Sequence, residues 1–304
     1  MFALKIENQP VHLPLLKEKK VSLSIKREDL IHPLISGNKY RKLKYNILEA
    51  KSQHFDTLLT FGGAYSNHIA ATAYAGKLSG IQTIGVIRGD ELAVKWHENS
   101  TLKLASTHGM RFKFVDRRAY RDKEKPEFLN GLKEEFGQYY MLPEGGTNTL
   151  AIRGCEEILT HEDACFEYIC CAVGTGGTLS GIVNASNPEQ QVLGFPAVKG
   201  NFLNEDIRKF VRKENWTLKT EYHFGGYAKV SRELIAFIND FQRETHISLD
   251  PIYTGKMLFG LFEMIRNDYF LAGTKILAVH TGGLQGISGM NKILEKKNLP
   301  LIAV

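Results

Sequence analysis

Short apolar runs, each closed by a glycine-rich turn and followed by ten or more residues of helical periodicity, recur along this 304-residue chain. No other feature narrows its fold as far. An opening strand is predicted over 21–25 and a helix over about 38–51. TLLTF (57–61) reads as a buried strand, GGAYS as a turn and 67–78 as a helix. IQTIGVI, RFKFV and YYML continue as strands separated by helical stretches. The second half repeats the pattern: YICCAV leads through GTGGT into a helix, QVLGF into another, and TKILAVH through TGG into a last one. Strands that alternate with helices of this length are joined by crossovers, so the class is α/β with parallel sheets. The chain is long enough for two cores, and no linker or low-complexity stretch divides it. Any domain boundary is therefore a crossover inside continuous structure.

Composition serves to exclude. With 43% hydrophobic and 24% charged residues, 28 Gly and 9 Pro, the chain is neither disordered nor collagen-like. No apolar run reaches spanning length, and MFALKIENQPVHLPLLKEKK lacks the unbroken apolar core of a signal peptide. A cytoplasmic protein without a membrane partner is expected. Cys155, Cys165, Cys170 and Cys171 show neither a paired framework nor zinc spacing, so no metal is expected. Lys and Arg outnumber Asp and Glu by 39 to 33, a net charge of +6, but the basic runs are mixed with acids. Solvated faces account for them, and nucleic acid is not an expected partner.

Parallel sheets place ligands where strands turn into helices, and four such turns stand out. In VGTGGTLSG (173–181), Gly174, Gly176 and Gly177 let backbone N–H groups converge on an anion, with Thr175 and Thr178 as hydroxyl donors. No Gly-Lys-Ser/Thr follows and Leu179 holds the third glycine position, so neither a Walker loop nor a dinucleotide fingerprint fits. A mononucleotide or monophosphate cradle and a plain tight turn remain. In SGNKYRKLKY (36–45), Ser36 can cap a helix whose first turn carries Lys39, with Lys42 on the same face. Lysine there opposes the helix dipole and loses affinity for its proton, which makes a nucleophile. Taken alone, a basic solvated helix explains the segment as well. In FGGAYSNH (61–68), Ser66, Asn67 and His68 open a helix whose N–H groups suit a carboxylate, or simply cap it. LDPIYTGK (249–256) and HTGG (280–283) complete the set. A lysine nucleophile, a phosphate cradle and a carboxylate turn are together the parts of a pyridoxal-phosphate site.

With these motifs in order, the sequence resembles the 1-aminocyclopropane-1-carboxylate (ACC) deaminase and D-cysteine desulfhydrase branch of the fold-type II pyridoxal-phosphate enzymes. The likeness runs through KREDL (26–30), GNKYRKL, YSNH, PEGGTN (143–148), VGTGGTLSG, DPIYTGK and HTGG. It implies a two-domain fold like the tryptophan synthase β chain: a large cofactor-binding domain at 1–42 and 150–304, with a smaller α/β domain inserted at 43–149. Lys39 would form the covalent link to pyridoxal 5'-phosphate, Asn67 would bond its ring hydroxyl, and the loop from Gly174 to Thr178 would hold its phosphate. Ser66 and the backbone of Asn67 and His68 would take the substrate carboxylate. Tyr253 and Tyr227 would face the substrate, Thr254 the pyridine nitrogen, and Lys42 would assist Lys39 as general base. A homodimer acting on a small amino acid is implied.

Thr254 stands where the ACC deaminases carry glutamate. A hydroxyl cannot keep the ring nitrogen protonated, and the weaker electron sink favours short-lived carbanions that expel a β-substituent. The expected function is therefore a lyase that deaminates a small amino acid by β-elimination, D-cysteine leading. ACC ring opening to 2-oxobutyrate and a non-catalytic cofactor-binding protein are the alternatives. Tyr65 in place of glutamine, the GGYAKV segment and RGDELAVKWHE (88–98) depart from the family pattern, and they bear on the substrate.

Overall fold

The computed structural model describes residues 6–200 and 202–303. The strands, in chain order, are β1 (Asn8–Val11), β2 (Ser22–Lys26), β3 (Thr57–Gly62), β4 (Gln82–Arg88), β5 (Met110–Val115), β6 (Tyr140–Leu142), β7 (Tyr168–Val173), β8 (Gln191–Pro196), β9 (Trp216–Leu218) and β10 (Lys275–Val279). Among the described residues they form two sheets, ordered β1-β2-β10-β7-β8-β9 and β5-β4-β3-β6. Every pairing is parallel except that of β1 with β2. The expected α/β class with parallel sheets is what the chain adopts.

The sequence reading located eight of these strands to within a residue or two and missed β1 and β9. Both are edge strands of three or four residues, too short to show a period. Pro10 lies in β1, an edge position where a missing N–H does no harm.

Both faces of the larger sheet are buried. Along β7, Cys170 and Ala172 pack into one cluster with Leu193, Ile276 and Leu261. Ile169, Cys171 and Val173 face the opposite cluster with Leu179, Val183 and Ile207. The adjacent thiols are thus core residues on opposite faces, and all four cysteines are free. Continuous apolar runs rather than alternation are what a sheet covered on both sides requires.

Helix Asn38–Ser52 belongs to both halves. Tyr40, Leu43, Ile47 and Ala50 pack with Leu58, Ala71 and Leu142 of the smaller sheet's layer. Its other side meets helix Thr149–Glu156 so closely that a Cβ on Gly154 would stand 2.0 Å from the Arg41 carbonyl oxygen. The KREDL segment fixes the entry to this helix through charge. Lys26 Nζ lies 2.7 Å from Asp163, Arg27 pairs with Asp29, and Glu28 accepts two hydrogen bonds from Arg41. The first of these pairs is fully buried, so its members depend on each other.

Candidate active site

The carboxyl ends of β3, β7 and β10 and the start of helix Asn38–Ser52 enclose one cavity of about 630 Å³, part of it open to solvent. Gly37 sets the helix start. Its φ is +55°, and a Cβ there would lie 1.9 Å from the Thr281 carbonyl oxygen, so no other residue fits. Ser36 does not cap the helix as the sequence suggested. Its hydroxyl instead accepts from the Gly283 N–H at 2.9 Å, tying the lysine segment to the HTGG turn.

Lys39 and Lys42 both project into the cavity. Lys42 Nζ donates to the Gly145 carbonyl oxygen at 3.1 Å and to Thr147 Oγ1 at 3.0 Å, whereas Lys39 Nζ reaches the same carbonyl only at 3.5 Å. Burial, and then the neighbouring Lys42 ammonium, lower the Lys39 pKa well below that of ordinary lysine. Burial lowers that of Lys42 as well. No carboxylate pairs with either amine among the described residues.

Opposite them lies the glycine loop. Helix Gly177–Ala185 begins there after Gly176 at φ +84°, and Gly174, Thr175, Gly176 and Thr178 line the cavity. A Cβ on Gly177 would stand 2.7 Å from Thr147 Oγ1 and 3.2 Å from Lys42 Nζ, so a buried cation sits at the positive end of a helix. One buried and one half-buried amine and a helix N-terminus, with no anion among them, form a donor set that calls for one, and a phosphate monoester fits. The threonines are already in place: Thr175 Oγ1 bonds Thr147 Oγ1 at 2.6 Å, and Thr178 Oγ1 accepts from Asn38 at 2.6 Å.

Ser66, Asn67 and His68 line the third side. Ser66 is the N-cap of helix Asn67–Ser79, accepting from the Ile69 N–H at 3.3 Å, and the first N–H groups of that helix face the cavity mouth. Asn67 Oδ1 accepts from Gln285 at 2.6 Å, which aims its amide nitrogen toward Gly283. The His68 imidazole is buried. Thr60 Oγ1 donates to the Leu142 carbonyl at 3.1 Å, so at its 2.9 Å contact with His68 Nε2 it must accept. Burial and the two lysines hold the imidazole neutral, well below its usual pKa. Only the His68 backbone N–H is therefore free to serve an anion.

In the DPIYTGK segment the structure separates residues that the sequence grouped. Tyr253 lines the cavity, and its ring meets that of Tyr227 at 6.2 Å between centroids. Burial pushes the Tyr253 hydroxyl well above its ordinary pKa, so it stays protonated at neutral pH. Thr254 lies behind the cavity wall, not on it. Its hydroxyl donates to Asp250 Oδ1 at 2.7 Å and its N–H to the same oxygen at 2.8 Å. Asp250 Oδ2 accepts from the N–H groups of Ile252 and Tyr253, both at 2.9 Å, so this buried carboxylate is spent on shaping the turn. Thr281, in the HTGG turn that the sequence marked without giving this residue a role, lines the cavity instead. Lys256 was likewise given no role: it donates to the carbonyls of His223 and Gly226 at 2.9 and 2.8 Å. It thereby pins a loop with four left-handed residues, Phe224, Gly225, Gly226 and Ala228, around Tyr227. A lysine next to glycine at the start of a helix carried no such signal.

Beyond Ser66, Gly174 and Tyr253 the cavity opens into a vestibule of about 1940 Å³, counting space continuous with solvent. All three segments that depart from the family pattern contribute to its walls: Tyr65, packed on Gly289 of helix Ile287–Lys296; Arg88, Glu91 and Leu92; and Tyr227 with Ala228.

The sequence pattern of the family described as pyridoxal-phosphate dependent enzyme matches residues 3–282. The bifunctional D-cysteine desulfhydrase/ACC deaminase of Arabidopsis thaliana, a mitochondrial protein, is 30% identical across 87% of this chain and 73% of its own length. The D-cysteine desulfhydrase of Klebsiella pneumoniae is 26% identical, over 85% of this chain and 86% of its own. A crystal structure described as that of an ACC deaminase homologue superposes with a TM-score of 0.81 at 30% identity, covering 96% of this chain and 94% of that one.

Proposed function

The chain belongs to the pyridoxal-phosphate dependent enzymes, with pyridoxal 5'-phosphate as its cofactor, and from that premise we propose a lyase that deaminates a small amino acid by β-elimination, D-cysteine leading. One observation carries the choice of chemistry: among the described residues, no carboxylate lines the cavity. Asp250, behind its wall, has both oxygens committed to Ile252, Tyr253 and Thr254. The walls thus offer no acid to hold a proton on a ring nitrogen. The weak electron sink expected from Thr254 is thus a property of the whole cavity lining.

When bound, the cofactor supplies an electron sink for negative charge at the substrate α-carbon. The side chains divide the remaining work. Lys42, with Gly174, Thr175, Gly176, Gly177 and Thr178, holds the phosphate; its two fixed hydrogen bonds suit a counter-cation better than the assisting base expected from sequence. Lys39, the less constrained amine, carries the covalent link and takes the α-proton on Nζ once freed. Asn67 would bond the ring hydroxyl. Ser66 with the N–H groups of Asn67 and His68 holds the substrate carboxylate. Tyr253, kept protonated, donates a proton from its hydroxyl to the departing sulfur, and Tyr227 orients it.

ACC deamination is the second reading, favoured by the Arabidopsis relative, whose name joins both activities. Incubating the cofactor-loaded protein with D-cysteine, scored as sulfide and pyruvate, and with ACC, scored as 2-oxobutyrate, separates them. Sulfide and pyruvate alone support β-elimination. 2-Oxobutyrate from ACC would show that ring opening needs no acid at the ring nitrogen, and would overturn the proposal.

The proposal extends to organisation. A small domain at 43–149 within a large one at 1–42 and 150–304 is supported by the division of strands between the two sheets. A homodimer rests on the family resemblance. A cytoplasmic setting is supported by buried, unpaired Cys155, Cys170 and Cys171. Among the described residues no helix is long and apolar enough to cross a membrane.

A further inference from the structure

We infer that the vestibule reads a second negative charge: Arg88 binds a carboxylate carried on the substituent at the substrate β-carbon. This deepens the lyase reading and rests on it. Strand β4 ends at Arg88, and the register that pairs Gly62 with Ile87 sets Arg88 beside Gly63, at the start of the turn that leads to Ser66. Arg88 Nη2 lies 3.7 Å from the position a Cβ on Gly63 would take. The guanidinium rests over the ring of buried Tyr120, 5.7 Å from its centroid, which supports the planar group while leaving its edge donors to the vestibule.

The other charges on these walls are compensated. Glu91 pairs with Arg117 at 2.8 Å, Glu144 with Lys123 at 3.3 Å and Asp206 with Lys209 at 2.6 Å. Arg88 has no carboxylate partner among the described residues, so the one uncompensated charge lining the vestibule is positive. An amino acid held by its α-carboxylate at Ser66 extends its side chain past Tyr253 and Tyr227 into this space, which far exceeds what a thiol fills. A single guanidinium matches one monoanion through its two-pronged edge, and the nearby Glu144 disfavours a dianion such as a phosphate ester. A carboxylate is the group that fits.

The chemistry balances without an oxidant or reductant. The Cβ–S bond breaks, sulfur leaves with the electron pair and takes up a proton, and one water completes the conversion to pyruvate, ammonia and a thiol that carries the carboxylate.

S-carboxymethylcysteine and S-(carbamoylmethyl)cysteine match in size and shape, the second replacing the carboxylate by a neutral amide, and each enantiomer of both is to be assayed with the holoenzyme for pyruvate. A charge-assisted, two-pronged hydrogen bond predicts that kcat/KM favours the carboxylate by about tenfold or more. Arg88→Gln should bring that ratio to within roughly threefold of unity, with Arg88→Lys between the two. The visible absorption of bound cofactor shows whether each variant is folded, and the wild-type ratio tests the inference even if neither is. No charge preference in the wild type, or an equal loss on both substrates in Arg88→Gln, would overturn the inference while leaving D-cysteine turnover and the lyase reading intact. A cofactor-loaded protein that turns over no amino acid would overturn that reading, and the inference with it.

Discussion

Lys39 and Lys42 share one face of one helix and one carbonyl acceptor, yet their bonding divides their tasks. Lys42 is fixed by two hydrogen bonds beside the Gly177 helix start, while Lys39 has a single long one. Lys42→Met should accordingly weaken cofactor binding by about tenfold or more, a charged phosphate contact being lost, as measured by titration of apoprotein with pyridoxal phosphate. Lys256 offers a different test. Burial lowers its pKa to about 8 in the folded chain. The unfolded value is about 10.4, so between the two the folded state holds fewer protons and stability rises with pH. Lys256→Met should flatten the rise of Tm between pH 8 and 10. Lysine positions of the first kind were legible in sequence, because an early helical lysine contradicts the helix dipole. Thr254 lies just inside the wall that Tyr253 lines, because a one-residue offset in a turn exchanges wall for interior. That offset is set by Asp250, whose carboxylate bonds three consecutive N–H groups through contacts no spacing reveals.

At the scale of elements, the alternation of apolar run, glycine turn and helix carried the architecture because both sheets are covered on both faces. The two short edge strands left no period to read. What the sequence could not convey was how closely elements approach. Gly154 in helix Thr149–Glu156 meets the backbone of helix Asn38–Ser52 directly, at Arg41. Gly154→Ala adds a Cβ against a carbonyl oxygen that no rotamer change can relieve, and should cost about 3 kcal/mol. Urea unfolding measures it, with an unchanged m-value as the sign that only the native packing was disturbed.

Across the whole molecule, charge closes the chain on itself. Asp163 accepts from Lys26 at 2.7 and 2.9 Å, from Asn8 at 2.7 Å and from the Thr160 N–H at 2.7 Å, joining the first two strands to the segment before β7. Asp163→Ala leaves a buried ammonium unpaired and should lower stability by about 3–5 kcal/mol, seen as a fall in Tm of the apoprotein.

The helix that bears Lys39 packs on the smaller sheet, while the glycine loop opposite it grows out of the larger one. A ligand bonded at one end to the amine and at the other to the loop therefore adds a second tie between two cores that this helix already joins, and it makes the melting of either depend more on the other. Calorimetry should resolve a broad or divided transition in the apoprotein and a single sharper one after loading. Cofactor content would then govern how long the folded chain persists, independently of whether it turns over any substrate.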